Sequence, residues 1–193
     1  YMSATVAGEE FRALYGEDEL GAYSARKDAI FARYRTLAEM LGAALLRAAQ
    51  ARRMNVLVET SGRDIAMFEY LDHFFPDGGP YRKMVVHFTV NELGFAEASV
   101  DRRMAKEMAD GQGALRSGGD ARALIRANAG GPYGSKALAG VQRDSNAVWE
   151  RVRNGGDAGA SWLKASLAVV ADETAPWAVV AGGERWSFGP PPR

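Results

Sequence analysis

The sequence predicts an α/β domain with a mainly parallel sheet and flanking helices. Three observations predict it. Two short apolar runs, 55–60 and 84–90, are continuous rather than alternating, as parallel strands covered on both faces tend to be. A stretch with apolar residues at helical spacing precedes each of them. Two more apolar runs, 166–171 and 177–181, follow late in the chain, so strands and helices alternate along it. The 193 residues suit one domain, 1–188, with a Pro-rich tail at 189–193.

Each element has its own warrant. Residues 3–7 are small and partly β-branched and read as a short strand. Residues 9–15 read as one or two helical turns, with Glu9 and Glu10 complementing the helix dipole. Ser24 is a candidate cap for a helix over 28–53, where Ile30, Tyr34, Leu37, Leu41 and Leu45 recur at helical spacing. Arg47, Arg52 and Arg53 suit its C-terminus. The run 55–60 reads as a buried strand, and 84–90 as its neighbour in the sheet. Between them a helix over 64–75 carries Ile65, Phe68, Leu71 and Phe75 on one face. Asn91 can cap a helix to about Asp110. Residues 111–134 hold seven glycines plus Arg116, Arg122 and Arg126, and read as a mobile lid with a short helix over 120–128. Residues 135–154 read as a helix. The runs 166–171 and 177–181 read as two strands of a terminal hairpin. The four tryptophans are expected in the core or on that hairpin.

Composition excludes several function classes. Lys plus Arg and Asp plus Glu are equal at 24 each, so no global field points to nucleic acid or to a membrane surface. No apolar run approaches the roughly 20 residues of a membrane span. The absence of cysteine excludes disulfides and thiolate metal sites, and fits a reducing, cytoplasmic setting. With only His73 and His87, both read as structural, no metal site is expected.

The chemistry concentrates where the run 56–59 enters its turn. Glu59, Thr60, Ser61, Gly62 and Arg63 bring a carboxylate, hydroxyls, a glycine and a guanidinium to a strand's carboxyl end, where α/β proteins bind ligands. Glu59, Ser61 and Arg63 are therefore candidate substrate-binding residues, with edge exposure of Glu59 and an Arg63–Asp64 surface pair as the alternatives. Arg12 follows Glu9 by one helical turn, so the two share a face. Arg12 either holds a substrate or pairs with Glu9. No G-x-x-x-x-G-K-[ST] phosphate loop occurs in the 193 residues.

Four segments in this order resemble the zeta-toxin family of P-loop kinases. Residues 8–12, Gly-Glu-Glu-Phe-Arg, are similar to that family's G-D-x-F-R element. Residues 55–63, Asn-Val-Leu-Val-Glu-Thr-Ser-Gly-Arg, are similar to its N-x-V-x-E-G-T-x-R strand and turn. Residues 81–90, followed by a helix with Asp101, Arg102 and Arg103, resemble its next strand and E-R-Y helix. The last helix and the late strands resemble its C-terminal layout.

The resemblance implies a P-loop-kinase-like fold lacking its first strand and phosphate loop, since the family's loop lies in a region that would precede Tyr1. It implies transfer of phosphate from ATP or GTP, with Mg²⁺, onto UDP-N-acetylglucosamine, and an antitoxin or a larger parent protein as partner. The family's catalytic aspartate falls on Glu9, which would orient or deprotonate the acceptor hydroxyl. Arg102 and Arg116 match its phosphate-binding arginines, Arg122 or Arg126 being alternatives to Arg116. The sequence departs from the pattern at Glu9, a methylene longer than aspartate, and at Thr60, where the family has glycine. Two alternatives stand beside this reading. One is another small-molecule kinase resembling chloramphenicol phosphotransferase. The other is a degenerate kinase-like domain that binds or scaffolds.

Overall fold

The computed structural model describes residues 8–90, 92–128, 130–154, 159, 161–170, 178–181 and 184–187. The expected strand at 3–7, the turn at 172–176 and the Pro-rich tail lie outside them. The described chain is a mixed α/β structure, mainly helical, with one small sheet. It divides into two compact units. One comprises Tyr1–Val56 and Glu97–Ala137, the other Leu57–Ala96 and Leu138–Arg193.

The first unit is helical. Helix α1 spans Gly8–Leu14 and buries Phe11 and Leu14. Helix α2 spans Leu20–Ala51 and buries Tyr23, Lys27 and Ile30 along one stripe. It starts earlier than expected, so Ser24 is an interior residue and no cap. The helix ends in a Schellman motif: Met54 N donates to Ala49 O at 3.0 Å and Arg53 N to Gln50 O at 3.0 Å. Arg53 holds the left-handed position at φ 52° that glycine usually fills.

Helix α4 spans Leu93–Arg116, and most of it belongs to this unit. It runs through Gly111 and Gly113, where a loop is expected, because Gly111 packs under the Tyr15 ring and a Cβ there would overlap that ring. Helix α5, Ala121–Ala127, is the short helix expected within 111–134. Its cap is Asp120, whose Oδ1 accepts from Ala123 N at 3.0 Å. Phe11, Leu14, Tyr15, Tyr23, Ile30, Met104 and Leu124 form the core.

The second unit carries the sheet. Helix α3 is Ala66–Phe74, and strand β1 is Met84–Val90, as the sequence predicts. A 3₁₀ turn, Ser135–Ala137, closes the first unit and leads into helix α6, Leu138–Arg153. Strand β2, Leu163–Val170, pairs parallel with β1 from Met84↔Leu163 to Val90↔Val169. Strands β3, Ala178–Ala181, and β4, Glu184–Ser187, extend the sheet by antiparallel pairing in the order β1-β2-β3-β4. The sheet is thus mixed rather than mainly parallel, and β4 is a strand that the sequence reading does not foresee.

One expectation is overturned. Residues 55–60 form no strand and lie exposed, with Leu57 91% accessible. A strand exists by its pairing, and the described ladder neighbour of β1 is β2. An apolar run of this length with no partner has no ladder to bury it.

Among the described residues of this unit, Phe68, Leu71, Phe75, Val148, Trp149, Val152 and Trp162 are the buried apolar ones. Phe68 and Trp162 meet at 5.4 Å between ring centroids. Asp72 ties the layer together. It accepts from Trp162 Nε1 at 2.7 Å and from Gly159 N at 3.1 Å, and it pairs with Lys83. Lys83 also reaches Asp77 at 2.8 Å.

Candidate functional site

A cleft of ≈ 160 Å³ opens in the second unit beside the carboxyl half of β1. Strand β1 brings His87, Phe88 and Val90 to it, and α6 brings Gln142, Ser145 and Asn146. These three polar residues recur at i, i+3 and i+4, so one face of α6 presents them together. Ser61 completes the polar lining. Its turn is shaped by the Thr60 hydroxyl, which accepts from Gly62 N at 3.3 Å, and by Gly62 itself at φ 65°. A Cβ on Gly62 would stand 3.2 Å from Ser145 Oγ, so glycine lets this turn approach the helix.

The centre of the cleft is His87. Its ring lies flat on the Trp149 indole, with centroids 4.9 Å apart and an interplanar angle of 16°. His87 Nε2 and Ser145 Oγ are 3.3 Å apart. Nδ1 is buried without a hydrogen-bond partner among the described residues. Burial pushes the imidazole below its ordinary pKa, and the Glu150 carboxylate offsets part of that shift. Gln142 Nε2 donates to Val90 O at 3.1 Å, fixing the rim. Among the described residues, no Lys, Arg, Asp or Glu lines the cleft.

The predicted site residues fall in both units. Glu9 and Arg12 lie on α1, with Arg12 Nε 3.9 Å from Glu9 Oε1 and the Glu9 side chain 95% exposed. They make the surface pair that the sequence left as one of two readings. Arg102 is exposed on α4, and Arg116 is exposed in its last turn rather than in a loop. Glu59 and Arg63 are exposed in the irregular segment before α3, and only Ser61 of that turn reaches the cleft.

Sequence reasoning misses His87 as a cleft residue, and it misses Gln142, Ser145 and Asn146. The signal for the last three was their helical spacing, which sets them on one face of an amphipathic helix. It also misses a buried ion pair in the first unit. Lys27 Nζ meets Glu107 Oε2 at 2.5 Å, and the two side chains are 0% and 2% exposed. Tyr23 donates to the same oxygen at 3.4 Å, and Arg103 Nε lies 3.6 Å from Oε1. Burial pushes the Lys27 pKa down against the opposing pull of Glu107.

Among the described residues, no group of three or more His, Asp or Glu side chains is placed to hold a metal ion. No helix among them is long and apolar enough to cross a membrane. No family model, no curated protein and no solved structure matches the chain.

Proposed function

We propose that this chain is a phosphotransferase domain acting on a small hydroxyl-bearing acceptor, with a nucleotide sugar such as UDP-N-acetylglucosamine as the first candidate. The observation that carries the reading is the cleft beside the carboxyl half of β1, with Ser61 in its wall. Ligands of α/β sheets bind outside the carboxyl ends of parallel strands. The cleft's apolar walls carry a few hydroxyls and carboxamides beside His87 and, among the described residues, no ionised side chain, which suits a neutral polyol or acetamido group. The order of the four family-like segments supplies the reaction class.

ATP or GTP with Mg²⁺ is the implied phosphoryl donor. The exposed guanidinium groups of Arg12, Arg102 and Arg116 fit a polyphosphate, since their forks match phosphate oxygens. When bound, the ion neutralises charge on the transferring group. The contribution of the second unit is positional: Ser61 hydrogen-bonds the acceptor in the cleft.

The test is a titration of UDP-N-acetylglucosamine followed by tryptophan fluorescence, with a parallel assay of γ-phosphate transfer. A saturable response is expected, weakened by Ser61→Ala roughly 2- to 12-fold, the worth of one hydrogen bond of about 0.5–1.5 kcal/mol. Without the lysine and amides of a phosphate loop, transfer is expected to be slow. No saturable response at millimolar nucleotide sugar would overturn the acceptor assignment. Binding with no transfer at all would favour the second reading, a kinase-like binding module. The exposed, unpaired segment carrying Glu59 already speaks for that reading.

A further inference from the structure

A serine hydroxyl is a weak nucleophile until a neighbouring base takes its proton. Ser145 Oγ and His87 Nε2 stand 3.3 Å apart in the cleft wall, the looser end of hydrogen-bond reach that such pairs show without ligand. The two residues come from different elements, α6 and β1. The imidazole is clamped by its stacking on Trp149, so its plane is set by packing. Its burial keeps it in the neutral, proton-accepting form near pH 7. Gly62 abuts Ser145 Oγ without a side chain to cover it. Asn146 lines the same cleft and brings a carboxamide N–H, the kind of donor that stabilises an oxyanion.

We propose that Ser145 and His87 form a nucleophile–base pair acting on small uncharged carboxylic esters, a chemistry independent of phosphoryl transfer. Ser145 Oγ bonds to the carbonyl carbon while its proton passes to His87 Nε2. The ester C–O bond then breaks, and the alcohol leaves with that proton. Water attacks the acyl carbon, gives its proton to Nε2, and Ser145 Oγ departs carrying it. The described walls carry no Lys, Arg, Asp or Glu and so select an uncharged ester, and the ≈ 160 Å³ of the cleft limits it to a small one. No carboxylate stands behind Nδ1, which is buried without a partner among the described residues, so turnover is slow.

The test needs no natural substrate. The full chain is treated with a small dialkyl fluorophosphonate, which forms an Oγ–P bond and releases fluoride as His87 takes the proton. Tryptic peptide 144–151, Asp-Ser-Asn-Ala-Val-Trp-Glu-Arg, has Ser145 as its only hydroxyl side chain, so the adduct is located by mass. We expect stoichiometric labelling there, roughly 100-fold faster than in the urea-unfolded chain, as general base assistance gives. The rate should fall as the imidazole protonates, and His87→Gln should remove the acceleration. If that variant fails to fold, the pH profile of the unaltered chain decides. An unlabelled 144–151 peptide, equal labelling of the unfolded chain, or a rate that ignores imidazole protonation each overturns the proposal.

Discussion

Lys27 Nζ and Glu107 Oε2 meet at 2.5 Å inside the first helical unit, and both side chains are withdrawn from solvent. A buried pair of this kind is matched in charge but costly in desolvation. Removing one partner strands the other, so Lys27→Met or Glu107→Leu alone should cost about 3–5 kcal/mol. The double variant should recover most of that loss, because apolar side chains of similar volume replace both charges. Urea denaturation of the four proteins closes the cycle, and additive single losses would show that the two residues do not act as a pair.

Two glycines of α4 should respond in opposite directions. At Gly111 a methyl group would overlap the Tyr15 ring, while at Gly113 nothing lies within 4 Å. Gly113→Ala should stabilise by about 1 kcal/mol through helix propensity alone. Gly111→Ala should instead destabilise by about 1–3 kcal/mol through overpacking. Melting temperatures of the two variants check the contrast.

Arg53 offers a gain of stability. It occupies the left-handed position of the Schellman motif that ends α2, at φ 52°. A side chain in that conformation costs roughly 1–2 kcal/mol, a strain that glycine lacks. Arg53→Gly should therefore raise stability, by somewhat less than that because glycine adds entropy to the unfolded chain. An unchanged or lower melting temperature would count against the motif.

These residues also show what the sequence could reveal. Strand β1 was legible because six of its seven residues, all but His87, are apolar or β-branched and leave few alternatives to a strand. Residues 56–58 are likewise apolar and mostly β-branched, but strandhood depends on a partner that composition cannot supply. Gly111 looked like a helix breaker because its role is set by Tyr15, nearly a hundred residues earlier. Nothing local marks Lys27 and Glu107 as a buried pair, since a pairing across eighty residues leaves no trace in the sequence around either. The cleft was half legible: Ser61 came from its turn, whereas His87 and Ser145 become partners only when β1 and α6 pack.

Acid should weaken the second unit in two separate windows. His87 is held below its ordinary 6.5 by burial, so the unfolded chain binds its proton first. Its contribution is complete above 6.5 and is lost as pH falls through the lower folded value. For Asp72, burial acts upward but hydrogen bonds from Lys83, Trp162 and Gly159 outweigh it, leaving the carboxyl below 3.8. That contribution is lost only below 3.8. Unfolding midpoints followed by Trp fluorescence should show both steps, and His87→Gln should remove the upper one alone. An unaltered upper step in that variant would assign it to another group.

Adjacent arginines on α4 should separate function from stability. Arg103 Nε lies 3.6 Å from the buried Glu107 carboxylate, and its Nη2 donates to Gly131 O at 3.3 Å. Gly130 packs against both side chains, so close that a Cβ would sit 2.5 Å from Arg103 Nε. Arg103→Ala should therefore destabilise the fold by about 1.5–3 kcal/mol, the worth of hydrogen bonds to charged groups. Arg102 and Arg116 are exposed, and replacing either by alanine should change stability by about 0.5 kcal/mol or less. If they bind phosphate as proposed, each change should instead weaken nucleotide affinity roughly 10- to 150-fold, the loss of one charge-assisted contact. Lysine at either position should restore only part of that affinity, because an ammonium cannot present the bidentate fork. Calorimetric titration with ATP in Mg²⁺ buffer gives the affinities, and thermal melts give the stabilities. Full nucleotide affinity in both the Arg102→Ala and Arg116→Ala proteins would remove these arginines from the proposed site.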